Sequence, residues 1–511
     1  MKKIYRLLYS NKFVAMVMLL MQIITFVAMY IWISDYSKVL FGLSTVLSAV
    51  LIIFEINRTE ESTFKMTWIT LIAIIPIFGA LFYLFTRAQG VSMNIGDDYK
   101  NIQEANKKYL VQDEDVMKNI YQTDKNQDGF ARYLSKYGGS PAYTNTGVQY
   151  YSIGERMFED MKKELLKAEK FIFLEFFIIN HTSRMWNEIL EILKKKVKQG
   201  VEVRVMYDGM GCIVTLPRKY NEYLERQGIK CRIFSPIVPL LSTHQNNRDH
   251  RKIMVIDGAT AFCGGINLSD EYINEKMRFG HWKDTGFMLR GEAVAGFTAM
   301  FLEMWNVNDE HIEDCGEYIQ ASKKYSVSTD GFVIPFGDTP LDEVYIGKRA
   351  YINNLNNASE YTYIMTPYLV IDDEMYECMK YAAQRGVDVK IIMPHIPDKK
   401  YAFYLARTYY KELLKAGIEI YEYTPGFVHA KMSISDGKKA IVGTVNHDYR
   451  SLYLHYECAA YMLNVPAVMD IERDFKDTLE LSQKITLEDV KHFNIFTKIL
   501  GHIIRLVAPL L

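Results

Sequence analysis

The chain of 511 residues carries almost no net charge: 60 lysines and arginines stand against 61 aspartates and glutamates. A protein that neutralises nucleic-acid phosphates needs a positive field, so no nucleic-acid partner is expected. Cysteine is sparse too. The six cysteines, at positions 212, 231, 263, 315, 378 and 458, include no Cys-x-x-Cys pair, which excludes a zinc knuckle or a disulfide framework and leaves ordinary buried thiols. Calcium falls to one missing ligand. Asp124-Lys125-Asn126-Gln127-Asp128-Gly129 copies the start of an EF-hand loop, but the twelfth position, which needs a bidentate glutamate, is Ser135.

Apolar residues, in contrast, are plentiful. At 49% of a chain too long for one ordinary domain, they supply both a large core and membrane segments, and they argue against global disorder. The 36 tyrosines suit a surface that meets lipid headgroups and equally suit a large core. Three uncharged apolar runs open the sequence, at 13–34, 39–54 and 66–86. A spanning helix needs roughly 20 residues at about 1.5 Å each, so the first and third runs are long enough and the second must recruit Glu55 and Ile56 or tilt little. Ser34-Asp35-Tyr36 offers no small-x-small cleavage site, so the first run reads as a retained anchor. The expectation is a multi-pass protein of the cell membrane, with the bilayer as a partner. Lys2, Lys3, Arg6 and Lys12 favour a cytoplasmic N-terminus. With three spans that puts the large domain outside, whereas unpaired cysteines favour the reducing side, and sidedness stays open.

From about residue 150 the chain repeats itself. A helix over 186–199 is followed by a glycine and a strand over 200–206; the same unit recurs at 375–385 and 386–392. A second echo pairs 223–234, with Gly228-Ile229, and 412–423, with Gly417-Ile418. Helix, glycine and strand in the same order describe two α/β units of one plan, packed as a pseudo-two-fold pair around one shared cleft.

Each unit runs into the same motif. His250-Arg251-Lys252-Ile253-Met254-Val255-Ile256-Asp257 leads to Gly264-Gly265-Ile266-Asn267, and His429-Ala430-Lys431-Met432-Ser433-Ile434-Ser435-Asp436 leads to Gly443-Thr444-Val445-Asn446. In both, seven positions separate the aspartate from the first glycine and ten separate it from the asparagine. The strand period of two places His250 beside Lys252, and His429 beside Lys431, on one face. An imidazole next to a fixed ammonium is a phosphate site: lysine balances developing charge, and Asn267 and Asn446 supply further donors to substrate. One neutral imidazole can attack phosphorus while the other protonates the leaving oxygen, so no metal and no cofactor is required.

These paired frames resemble those of the phospholipase D superfamily, over most of residues 150–490. The apolar N-terminal runs, the Trp68, Pro76, Gly79, Tyr83 pattern and the tail ending Pro509-Leu510-Leu511 resemble the bacterial cardiolipin synthases. The resemblance implies an α/β fold in which two repeated phospholipase D-like halves form a pseudo-two-fold catalytic domain, preceded by N-terminal transmembrane helices. Composition and resemblance together divide the chain into an anchor of two or three transmembrane helices at 1–90, a polar linker at 91–145, halves at 146–320 and 325–490, and an amphipathic C-terminal helix at 491–511. The resemblance also implies a reaction that joins two phosphatidylglycerol molecules into cardiolipin and releases glycerol. Carried over by residue, His250 is the nucleophile, His429 the acid and then the base, and Lys252 and Lys431 bind phosphate. That order of the histidines can be swapped. Asp257 and Asp436 close the frames and hold local structure, and Asp284 and Glu457 are candidates to orient the imidazoles. At Gly265 and Thr444 the chain departs from the family, where a serine often follows the glycine. A hydrolase releasing phosphatidic acid would share every catalytic residue, and a homo-oligomer stays open.

Overall fold

The computed structural model describes residue 24 and residues 36–87, 92–236, 247–307, 309 and 312–510. It divides into two compact units, one N-terminal up to residue 93 together with residues from 502 onward, the other comprising 94–236 and 248–501. Apart from residue 24, the first apolar run lies outside the described residues.

In the N-terminal unit, helix Tyr36–Ile56 covers the second run and includes Glu55 and Ile56. The third run is not the single span expected of it but two helices, Ser62–Ile74 and Pro76–Arg87. Pro76 has no N–H and its ring drives the preceding residue out of the helical region; Ile75 sits at φ −130°, ψ 74°. The chain then folds back on itself. A Cβ on Gly79 would meet the Leu71 carbonyl oxygen at 2.5 Å, so only glycine lets the second arm approach the first. Trp68 packs 5.7 Å from the Phe82 ring and 5.4 Å from Tyr83, and the Tyr83 hydroxyl donates to buried Glu55 at 2.6 Å. The Trp68, Pro76, Gly79, Tyr83 pattern is thus the pattern of this hairpin. Its arms reach only about 20 Å at ~1.5 Å per residue, short of a ~30 Å hydrocarbon layer. Among the described residues no helix is long and apolar enough to cross a membrane.

Residues 91–145, expected as a linker, form helices Ser92–Lys107, Glu114–Thr123 and Lys125–Gly138. Their polar composition hides an apolar stripe, with Ile102, Met117, Ile120 and Leu134 buried. The EF-hand look-alike is a helix start: the Asp124 carboxylate accepts from the Asn126 N–H at 3.0 Å, capping the third helix.

The larger unit is built on two large sheets, with two small two-stranded ones beside them. The first half supplies β1 (Thr146–Tyr151), β2 (Phe171–Phe176), β3 (Glu202–Asp208), β4 (Lys230–Phe234), β5 (Arg248–Asp249), β6 (Lys252–Ile256), β7 (Thr260–Gly264), β8 (His281–Lys283) and β9 (Gly286–Gly291). The second supplies β10 (Phe332–Asp338), β11 (Tyr361–Met365), β12 (Leu369–Val370), β13 (Asp388–Pro394), β14 (Glu419–Tyr423), β15 (Gly426–Val428), β16 (Met432–Ser435), β17 (Lys439–Gly443), β18 (His447–Asp448), β19 (His455–Leu463) and β20 (Ser482–Ile485). One large sheet runs β1-β9-β7-β6-β2-β3-β4 and the other β10-β19-β17-β16-β11-β13-β14-β20, and the small ones are β12-β18 and β8-β15. Position by position the first seven strands correspond, so the repeat seen in the sequence is a repeat of topology.

The amphipathic helices are the crossovers that parallel pairing requires. Helix Arg184–Lys198 links β2 to parallel β3, and helix Asp373–Gln384 links β11 to parallel β13. Each is followed by a glycine at positive φ, Gly200 at 88° and Gly386 at 98°, where a side chain would be strained. The two sheets share one core. Phe173, Val255 and Phe287 of the first pack in the same cluster as Met432, Ile434 and Ala460 of the second, together with helix Val294–Asn306, every residue of which is buried. Near the frames the halves also exchange strands: β5 pairs in parallel with β19, and β8 with β15.

Candidate active site

Each frame histidine sits where one half lends backbone to the other. The His250 N–H donates to the Tyr456 carbonyl at 2.9 Å, and the His429 N–H to the Lys283 carbonyl at 2.7 Å. These bonds continue the exchanged β5–β19 and β8–β15 pairings, so the position of each ring is set by the opposite half.

The carboxylates cross in the same sense. Glu457, from the second half, faces His250 of the first, with Nδ1 at 2.8 Å from Oε1 and 3.0 Å from Oε2. Asp284, from the first half, faces His429 of the second, with Nδ1 at 2.7 Å from Oδ2. Both carboxylates are fully buried. Asp284, kept ionised by His429, fixes the Nδ1–H tautomer of that ring and leaves Nε2 as its reactive nitrogen; Glu457 holds Nδ1 of His250 by the same contact and likewise leaves Nε2 of that ring uncommitted to it.

The departures at Gly265 and Thr444 belong to these pairs. A Cβ at Gly265 would lie 2.0 Å from Asp284 Oδ1, so glycine makes the room that Asp284 occupies. At the corresponding place Thr444 donates its hydroxyl to Glu457, and Ser451 donates to the same carboxylate at 2.7 Å. Thr444 is marked in sequence by its place after the motif glycine, whereas Ser451 carries no such signal.

The other frame residues divide. Lys252 and Lys431 are buried, and each donates to the carbonyl of its own histidine, Lys252 at 2.6 Å, which steers the ammonium and leaves two of its protons for a ligand. Asp257 and Asp436 stand at the far ends of their strands, roughly 20 Å away at ~3.3 Å per residue. Asp257 accepts from the N–H groups of Glu169, Lys170 and Phe171 at 2.7–2.8 Å, and Asp436 accepts from Ser359, Glu360 and Tyr361. They anchor the turns before β2 and β11. Asn267 is also committed, its Oδ1 accepting from Ile178 N–H at 2.9 Å and its Nδ2 donating to Tyr272 at 2.9 Å. Asn446, in contrast, keeps a buried Oδ1 with no partner among the described residues.

Charge follows from burial. Burial, then the fields of Lys252, His455, Lys431 and His429, holds His250 well below the usual imidazole range. Burial and Lys431 bring His429 to about 4, against the pull of Asp284. Burial also lowers Lys431 to about 7 and depresses Lys252. Asp284 resists its own burial, kept low by the field and hydrogen bond of His429. Glu457 is pushed well up by burial, against Lys252, Ser451 and Thr444. His250 feels the fields of Lys431 and His429 across the halves, and His429 and Lys431 feel that of Lys252. The ligand atoms of His250, His455 and Glu457 lie within 4.8 Å of one another, but the fields of Lys252 on both imidazoles and of Arg450, Arg248 and Lys399 on His455 favour an anion there over a metal ion.

A family model described as "Cardiolipin synthase, PLD-like domain" matches residues 161–305 and 351–479. A second, "Phospholipase_D-nuclease N-terminal", matches residues 45–87, the region of the hairpin. An uncharacterized protein of Streptococcus mutans is 49% identical over 460 residues, 90% of this chain and 99% of its own length. A cardiolipin synthase of Alkalihalophilus pseudofirmus is 32% identical over 499 residues, 95% of this chain and 97% of its own. Cardiolipin synthase 2 of Bacillus anthracis is 33% identical over 470 residues, 90% of this chain and 89% of its own. Among solved structures, the phosphatidylserine synthase of Haemophilus influenzae superposes with a TM-score of 0.53 at 13% identity, over 71% of this chain and 93% of that one, a likeness of fold.

Proposed function

The chain belongs to the bacterial cardiolipin synthases of the phospholipase D superfamily, and on that premise we propose that it moves a phosphatidyl group from one phosphatidylglycerol to another through His250 and His429. His250 Nε2 attacks the donor phosphorus; the P–O bond to glycerol breaks, and glycerol leaves with a proton from His429. The phosphatidyl group then rests on His250. His429 next takes the proton of the incoming glycerol hydroxyl, the new P–O bond forms as the P–N bond breaks, and cardiolipin leaves with both imidazoles restored.

The observation that carries this reading is the crossed pairing of His250 with Glu457 and His429 with Asp284. It gives two imidazoles of one tautomer, each with Nε2 uncommitted to a carboxylate, beside two buried ammonium groups. Their depressed proton affinities keep both rings neutral without substrate. A bound phosphodiester offsets the lysine fields and lets the pair take up the one proton that the leaving glycerol needs. Lys252 and Lys431 balance the charge that grows on the phosphoryl oxygens, and Asn446 is the asparagine with capacity left for substrate.

The lipid substrates come from a bilayer, and the anchor at 1–90 is the part of the chain that meets it, holding the protein at the cell membrane. Leu43, Val46, Val50, Ile53 and Phe54 form an exposed apolar stripe along helix Tyr36–Ile56. In the C-terminal helix Ile495–Arg505, Gly501 packs on Tyr404 while Phe496, Ile499, Leu500 and Ile503 are exposed. Both faces suit the boundary between headgroups and acyl chains. The test is to supply pure phosphatidylglycerol to the detergent-solubilised protein with chelator present and to identify the products. Cardiolipin and glycerol are expected; phosphatidic acid alone would make the protein a hydrolase.

A further inference from the structure

Two residues before each orienting carboxylate, the halves part company. Before Asp284 stands Trp282, its ring 5.1 Å from that of His429, with Tyr272 and Phe427 each 5.6 Å from the same imidazole. That wall is aromatic. Before Glu457 stands His455, its ring 5.4 Å from that of His250. The His455 side chain is only 10% exposed, yet neither Nδ1 nor Nε2 has a hydrogen-bond partner among the described residues; the nearest carboxylate oxygen, on Glu457, is 3.8 Å from Nδ1. Native proteins rarely leave buried nitrogens unpaired, and one inside an active site points to a group the ligand brings.

The surroundings say which kind of group. Arg450 opens the turn Arg450–Leu454 that delivers His455, and Arg248, paired in backbone register with His455, is held by Asp208 at 2.8 Å. Burial and the fields of Arg450, Arg248, Lys399 and Lys252 keep the His455 ring neutral, with one donor and one acceptor nitrogen. A donor–acceptor ring in a positive field matches a polyol beside an anion.

We propose that His455 anchors a second headgroup subsite, which takes the glycerophosphate of the acceptor lipid while the reacting phosphorus is held between His250 and His429. This rests on the transfer reaction above: acceptor and product each carry a second phosphodiester, one glycerol away from the reacting centre, whereas water carries none. The subsite therefore selects a lipid alcohol over water, and His455 is a specificity-determining residue.

The experiment measures cardiolipin and phosphatidic acid together, from full-length protein and phosphatidylglycerol in detergent mixed micelles, for wild type, His455→Ala and His455→Asn. Losing a hydrogen bond to a charged headgroup predicts that His455→Ala makes cardiolipin about tenfold or more slowly at low substrate, with a raised KM, while phosphatidic acid release holds its rate. His455→Asn, which keeps a donor and an acceptor, restores part of the ratio; it carries the comparison if the alanine variant melts at a lower temperature. A product ratio in both variants equal to that of wild type overturns the subsite and leaves the transfer reading intact. Phosphatidic acid without cardiolipin from wild type overturns the transfer reading, and the subsite with it.

Discussion

His250 Nδ1 lies 2.8 Å from Glu457 Oε1, a bond between residues 207 positions apart that joins the two halves of the catalytic unit. Its counterpart joins His429 to Asp284 over 145 positions. Neither half contains a complete histidine–carboxylate pair, so neither can position its own imidazole.

The crossed pairing predicts that Glu457→Gln and Asp284→Asn each cost about 10²–10⁴ in kcat with little change in KM, because the amide no longer enforces the Nδ1–H tautomer. Gly265→Ala should act in the same direction on Asp284, since its methyl would claim the place of Oδ1 at 2.0 Å. Steady-state kinetics on detergent-solubilised variants reads both effects. Unchanged kcat in Asp284→Asn would mean that His429 does not depend on that carboxylate.

A buried lysine near neutrality gives a pH signature. Lys431, lowered to about 7, loses its charge as pH rises through that value, so kcat/KM for phosphatidylglycerol should fall on the alkaline side near pH 7. The imidazoles, both depressed, stay neutral well below pH 6.5, which puts the acid limb lower than an ordinary histidine would. Lys431→Arg keeps its charge at all accessible pH, and in the activity that remains the alkaline limb should move up by more than one pH unit.

The hairpin predicts sensitivity at one glycine. Gly79→Leu would drive a side chain into the Leu71 backbone, where even a Cβ lies at 2.5 Å, and overpacking of this kind costs about 1–3 kcal/mol. Thermal unfolding in detergent should show the loss, whereas Gly129→Ala, at a helical glycine with nothing within 4 Å of its Cβ, should not.

The frames were legible because chemistry and spacing repeat together: a histidine and a lysine two apart on a strand have few structural reasons to recur with the same glycine and asparagine behind them. Helix, glycine and strand were legible for the same reason, since positive φ at Gly200 and Gly386 leaves a mark in sequence. The crossing was not. Asp284 and Glu457 stood out as carboxylates downstream of each frame, but which imidazole each one meets is decided by the β5–β19 and β8–β15 pairings, and periodicity within a half says nothing about pairing between halves. The third apolar run misled because hydropathy counts residues without direction, and Pro76 and Gly79 fold 21 apolar positions back on themselves. Asn267 could not be told from Asn446 in sequence, because its partners, the Ile178 N–H and the Tyr272 hydroxyl, belong to the tertiary structure.

The central claim is that His250 carries the phosphatidyl group and His429 handles the proton. Rapid quenching of His429→Ala with phosphatidylglycerol, followed by peptide mass spectrometry under alkaline conditions that preserve phosphoramidates, reads it directly. The account predicts a phosphatidyl adduct on the peptide containing His250, accumulating because its release lacks a base. An adduct confined to His429 in His250→Ala would reverse the two roles, and cardiolipin formation by a variant lacking both histidines would contradict the account outright.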